Sequence, residues 1–179
     1  MRTKNTGRMA LSAVLTALAV VVLLLTATPI ATIGLAALAG GCGIPIVVEW
    51  GRKAGLIHFV AVAVLALLIV PTLQGKGMYI AFFGWYTVFK AWIESKHLPR
   101  IGEWAAKCGV FAAALVAYGA AWVFLLDMPL PDGFSLWMVP VTAVVACAVF
   151  VVYDLGFSRL VAVYCGKTGA KIRQIFRFR

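Results

Sequence analysis

Residues 9–27, MALSAVLTALAVVVLLLTA, decide the class of this protein. The stretch has 19 residues and no charge; as an α-helix rising 1.5 Å per residue it reaches about 28 Å, enough to cross the hydrocarbon core of a bilayer. Arg2, Lys4 and Arg8 precede it, so a cleavable signal peptide is the competing reading. Its length exceeds the roughly 7 to 15 residues of a signal h-region, and Ala27-Thr28-Pro29 makes a poor cleavage site, so the segment is expected to remain as a membrane span.

Five similar apolar runs follow, at residues 30–48, 54–70, 78–93, 105–126 and 136–153. The second carries Gly40-Gly41-Cys42-Gly43 and Pro45, which should kink it; Pro71 ends the third, and Pro140 lies one turn inside the sixth. Runs two and four are the ones that a glycine break or short length could make re-entrant. Of the 179 residues, 64% are hydrophobic and 12% charged, against about 25% charged in a soluble domain. The expected fold is therefore an all-α membrane protein, six transmembrane helices in a compact bundle. The divisions are a basic tail at 1–8, the membrane domain at 9–158, and a basic tail at 159–179 whose end sets Lys171 and Arg173 beside Ile172 and Phe176. That end reads equally as an amphipathic helix on the membrane surface or as a solvated tail.

The net charge of +10 invites a nucleic-acid reading, but the Lys and Arg residues are not gathered on one soluble face. Fifteen of the sixteen fall in the tails and in alternate loops: Arg2, Lys4, Arg8; Arg52, Lys53; Lys90, Lys96, Arg100, Lys107; Arg159, Lys167, Lys171, Arg173, Arg177 and Arg179. Only Lys76 belongs to the other set, which otherwise holds Thr28-Pro29 and the acidic turn 127–133. By the positive-inside rule both termini are then cytoplasmic, with anionic lipid beside the basic borders.

The acids are few. Glu49, Glu94, Glu103, Asp127, Asp132 and Asp154 all read as span ends or loops, an arrangement that argues against a proton relay or ion pathway. Lys90 and Glu94 are four apart and Asp154 and Arg159 five apart, spacings that suit structural ion pairs. His58 and His97 are too far apart in pattern for a metal pair and are expected to pack at the interface. Cys42, Cys108, Cys147 and Cys165 show no CxxC spacing and are expected as free thiols on a reducing side. Cys165-Gly166-Lys167-Thr168-Gly169 ends like a phosphate loop but lacks its upstream glycine and strand. No Ser-centred elbow or acid dyad appears, so no catalytic residues, metal or cofactor are assigned.

The first span has a small-residue face in which Ala13 and Ala17 form an A-x-x-x-A pair beside Ser12 and Thr16. Such a face serves either close packing inside the bundle or docking on a partner membrane protein. The segment Arg8-Met9-Ala10-Leu11-Ser12-Ala13-Val14-Leu15-Thr16-Ala17-Leu18 resembles the opening of the substrate-binding S components of energy-coupling factor transporters. The resemblance implies a six-helix bundle of about this length in a bacterial cytoplasmic membrane. It implies docking through Ala13 and Ala17 on a membrane T component that carries cytoplasmic ATPases. It also implies a small-molecule substrate held in the outer half.

That half is aromatic: Tyr79, Phe82, Phe83, Trp85 and Tyr86 from the fourth run, Trp122 and Phe124 from the fifth, Phe134 and Trp137 near the sixth. These residues serve either as an interfacial belt or as a pocket. For a pocket, Tyr79, Phe83, Tyr86, Trp122 and Trp137 are the expected substrate contacts. Polar candidates are limited to Gln74, Lys76, Thr87, Asp127, Asp132 and Ser135, which favours a flat or lipophilic molecule. The alternative reading is an integral scaffold of cell-envelope machinery, which holds partners through the same small-residue face and has no ligand.

Overall fold

A computed structural model describes residues 2–28, 31–96, 99–125 and 138–168. Its elements are helical throughout, with no strand among the described residues, because in lipid each backbone N–H and C=O must find its partner within the segment. Helix α1 (Arg2–Leu24) ends in a 3-10 turn, Leu25–Ala27. Then come α2 (Thr32–Gly41), α3 (Ile44–Ile69) and α4 (Leu73–Met78). A π-helical turn, Tyr79–Phe83, joins α4 to α5 (Gly84–Glu94) without a break. Helices α6 (Arg100–Ala120) and α7 (Met138–Val163) each close on a π-helical turn, Ala121–Leu125 and Tyr164–Thr168.

By length and composition four stretches are long and apolar enough to cross a membrane, Thr6–Ala27, Ile44–Ile69, Arg100–Phe124 and Val141–Gly166, although the second is broken at Gly51. Their outer surfaces present Val14, Leu18, Leu68, Val116 and Val144 where a soluble helix would carry charge. The boundaries expected at residues 8 and 158 fall inside helices. Arg2, Lys4 and Arg8 form the first turns of α1, and α7 runs on to Val163. No proline interrupts either junction, so the ladder extends past the end of the apolar pattern.

The chain reverses inside α3. Gly51 has φ 81° and ψ −179°, a backbone open to glycine and strained for other residues. Val47 presses so closely on Gly55 that a methyl there would collide with it, and a β-carbon built on Gly43 would lie 3.4 Å from His58 Cδ2. In an unbroken helix residues 47 and 55 would stand about 12 Å apart along the axis, so residues 44–50 and 52–69 are the arms of a hairpin. On its other side the first arm joins α2 through a tightened turn, with Cys42 N–H donating to the Ala39 carbonyl, Gly43 to Gly40 and Val47 to Gly43. Residues 31–50 thus form one helical rod, kinked at the glycine cluster.

The helix ends sort into two groups. At the basic end, the Arg8 guanidinium lies 5.3 Å from the Trp50 ring centre, and the Tyr164 hydroxyl donates to Glu49 Oε1 at 3.3 Å. The first and last described helices therefore meet at the same end of the bundle. At the far end Thr26 and Thr72 share a 2.6 Å hydroxyl hydrogen bond. Between them Ala19, Leu23, Ala36, Val62, Ala66 and Tyr79 make one core, from α1, α2, α3 and the first π-turn, while Phe82, Tyr86, Ala114 and Phe150 make a second where α6 and α7 join. Helix α2 approaches the first π-turn so tightly that a methyl on Gly40 would run into the Phe83 carbonyl, the close backbone contact by which helices associate in lipid.

Candidate functional site

A cavity of about 520 Å³ occupies the far half of the bundle, walled by α2 (Ile33, Ala37), the first π-turn (Phe82, Phe83), α6 (Phe111, Tyr118) and α7 (Phe150, Tyr153). Its base is aromatic: Phe111 stacks on Phe150 with ring centres 4.6 Å apart and planes at 12°, and Phe82 meets both edge-on at 5.1 and 5.7 Å. The π-helical turn adds a residue to the helical repeat, a device common at functional sites; here Phe82 and Phe83 both reach the wall. A second, more open cavity of about 620 Å³ lies at the far end, bordered by Thr26, Thr32, Thr72, Gln74 and Trp122, and the two share Ile33 and Gly34.

The polar groups around these spaces are unevenly satisfied. The hydroxyls of Tyr118 and Tyr153, both on the cavity wall, are buried without a hydrogen-bond partner, and so are the Tyr79 hydroxyl and His58 Nε2. Towards the basic end the opposite holds. Asp154 on α7, Lys90 on α5 and Lys107 on α6 are 2%, 3% and 2% exposed. Asp154 Oδ1 accepts from Lys90 Nζ at 2.5 Å and from the Tyr86 hydroxyl at 2.5 Å, and Oδ2 accepts from Lys107 Nζ at 3.4 Å. Lys107 also reaches Glu103 at 2.5 Å and Glu94 at 3.2 Å, and Lys90 reaches Glu94 at 3.0 Å. A buried charge without such partners would be costly, and here every member is engaged.

The expected substrate contacts disperse. Phe83 lines the inner cavity and Trp122 the outer one. Tyr79 is fully buried in the first core, and Tyr86 is sealed beneath the cavity as the hydroxyl donor to Asp154. Trp137 lies outside the described residues, as do Phe134, Ser135, Asp127, Asp132, His97 and the tail from residue 169. Gln74 borders the outer cavity. Lys76 donates to the Val70 carbonyl at 3.1 Å, and Thr87 to the Gly40 carbonyl at 3.0 Å, away from the cavity beside the kink in the α2 rod.

The structure gives three groups of singled-out residues their surroundings. Asp154, Lys90 and Lys107 are buried between α5, α6 and α7, and Asp154 is reached by both lysines rather than paired along its own helix. His58 is buried between α1 and α3, with Nδ1 3.0 Å from the Thr16 hydroxyl. Ala13 and Ala17, for which packing inside the bundle was one alternative, are exposed, because α1 turns its Leu11, Ala19 and Leu23 side inward instead. Lys90–Glu94 forms as its spacing suggests, and the four cysteines are free thiols.

Tyr118, Phe111, Phe150 and Tyr153 were missed, although Phe111, Ala114 and Tyr118 on α6 and Phe150, Tyr153 and Phe157 on α7 share one signal. Each set repeats at i, i+3 and i+7, one face of a helix. No group of three or more metal-ligating side chains occurs among the described residues. No protein-family model matches the chain, and neither a curated protein nor a solved structure shows significant similarity to it.

Proposed function

We propose that this chain is the non-catalytic substrate-capture subunit of an energy-coupling factor type transporter in a bacterial cytoplasmic membrane. The observation that carries the reading is the aromatic-walled cavity in the far half, since a scaffold has no use for one. Six crossings accommodate it: residues 6–27, the 31–50 rod, the 52–69 arm, residues 73–94, 100–124 and 141–166. At 1.5 Å per residue the shortest of these, 52–69, still reaches about 27 Å. The basic end then faces the cytoplasm with both chain ends, and the cavity faces outward.

Docking on a membrane T component with its ATPases falls to the outward side of α1, where Ala13 and Ala17 stand exposed between Val14 and Leu18. Small residues there allow a partner helix close approach. The chain supplies capture and the partners supply ATP hydrolysis; occupancy of the cavity would bias the bundle and so its docking.

The test is affinity purification from the native membrane in mild detergent. A membrane partner with ATPases should come down with the wild type and be lost from an Ala13→Leu/Ala17→Leu variant that still elutes as a folded monomer. Recovery of wall-synthesis or division proteins instead would replace the capture reading with an envelope scaffold.

A further inference from the structure

The cavity's chemistry selects its occupant. None of its lining residues is Lys, Arg, Asp, Glu or His. The nearest buried charges belong to the Asp154 network, where Lys90 and Lys107 are already bound by carboxylates, so an ionic guest would find no counter-ion. The polar side-chain atoms the wall does bring are the hydroxyls of Thr142, Tyr118 and Tyr153, of which the two phenols are buried and unpartnered. Both hydroxyls are covered as the side chains stand, and a phenol turned into the space would let a ligand oxygen satisfy a group that the protein alone leaves without a hydrogen bond.

Their placement implies a shape. Phe111 and Phe150 stack at one level. Tyr118 lies seven residues from Phe111 towards the far end of α6, and Tyr153 three residues from Phe150 towards the basic end of α7. At 1.5 Å per residue their backbones are about 15 Å apart along the bundle, at opposite ends of an aromatic slot.

We infer that the cavity takes an uncharged, elongated lipophilic molecule with a hydroxyl or carbonyl oxygen, engaged by Tyr118 or Tyr153 at an end of the slot, and rejects its ionised counterpart. This rests on the capture reading for its role in transport, but the binding itself is tested separately. The probes are retinol and its carboxylate analogue retinoate, titrated against the full chain in neutral-lipid nanodiscs with empty nanodiscs as the blank.

Retinol fluorescence should rise saturably at one molecule per chain, and retinoate should bind at least about tenfold more weakly. Ala146→Phe, which fills the slot from α7, should abolish the saturable phase; Ala114→Phe does the same from α6 should the first variant fail to fold. Tyr118→Phe or Tyr153→Phe should weaken retinol roughly three- to tenfold, the worth of one hydrogen bond. Absence of saturable retinol binding, equal binding of retinoate, or binding that survives the filled slot each overturns the inference. Loss of partner co-purification with retinol binding intact would instead overturn the capture reading and leave the ligand class standing.

Discussion

The two halves of the bundle handle buried polarity in opposite ways. In the basic half, one carboxylate on α7 is shared by a lysine and a tyrosine from the α4–α5 rod and a lysine from α6. Two further glutamates complete both ammonium groups. In the far half, two tyrosines of the same chemical type line a space of about 520 Å³ with no partner for either hydroxyl. A saturated network holds helices in one arrangement, while an unsatisfied pair beside open volume leaves hydrogen-bonding capacity to a guest. Tyr86 and Tyr153 make the contrast sharp: their ring centres are 5.6 Å apart, yet one hydroxyl is engaged and the other is not.

Removing the carboxylate should have the largest effect. Asp154→Asn removes the buried carboxylate and leaves Lys90 and Lys107 with Glu94 and Glu103 alone, and should cost about 3 kcal/mol, measured as a fall in the thermal midpoint of the detergent-solubilised protein. A midpoint near wild type would mean that the network does not hold α7. Next comes Tyr86→Phe, which deletes a hydrogen bond to a charged acceptor and should cost about 1.5–3 kcal/mol by the same assay. Gly40→Ala forces a methyl against the Phe83 carbonyl and should cost about 1–3 kcal/mol, with a loosened first π-turn visible as faster hydrogen exchange at residues 79–83.

The smallest effect belongs to Tyr153→Phe, within about 0.5 kcal/mol, because the lost hydroxyl has no partner to forfeit. Equal losses for Tyr86→Phe and Tyr153→Phe would dissolve the distinction between the halves. Ala13→Leu/Ala17→Leu should likewise leave the midpoint unchanged, since both positions are exposed on α1.

Much of this architecture is legible in the chain. The run at residues 9–27 predicts α1 from lack of charge alone, and the Gly40–Gly43 cluster is where the rod kinks. The spacing of Lys90 and Glu94 predicts their 3.0 Å pair, because residues four apart on a helix are neighbours whatever surrounds them. Asp154 was paired instead with Arg159 for the same local reason, and the structure gives it partners 47, 64 and 68 positions away. Tyr79, Phe83 and Tyr86 were grouped because they share a run. The π-turn and the rotation of α4–α5 send Tyr79 into one core, Phe83 to the cavity and Tyr86 to Asp154.

The order of residues by itself determined the medium, the helices and the end of the bundle where cations collect, since hydrophobic length and charge position are properties of each segment alone. Only the tertiary structure decided which faces of those helices look at one another. That choice closed the ion network around Asp154, left Ala13 and Ala17 outside, and opened a cavity between Phe83, Tyr118 and Tyr153. The physical reason is that a helix's rotation about its axis is set by packing against its neighbours, and in lipid both an apolar and a small-residue face are tolerated outward, so local pattern does not choose between them.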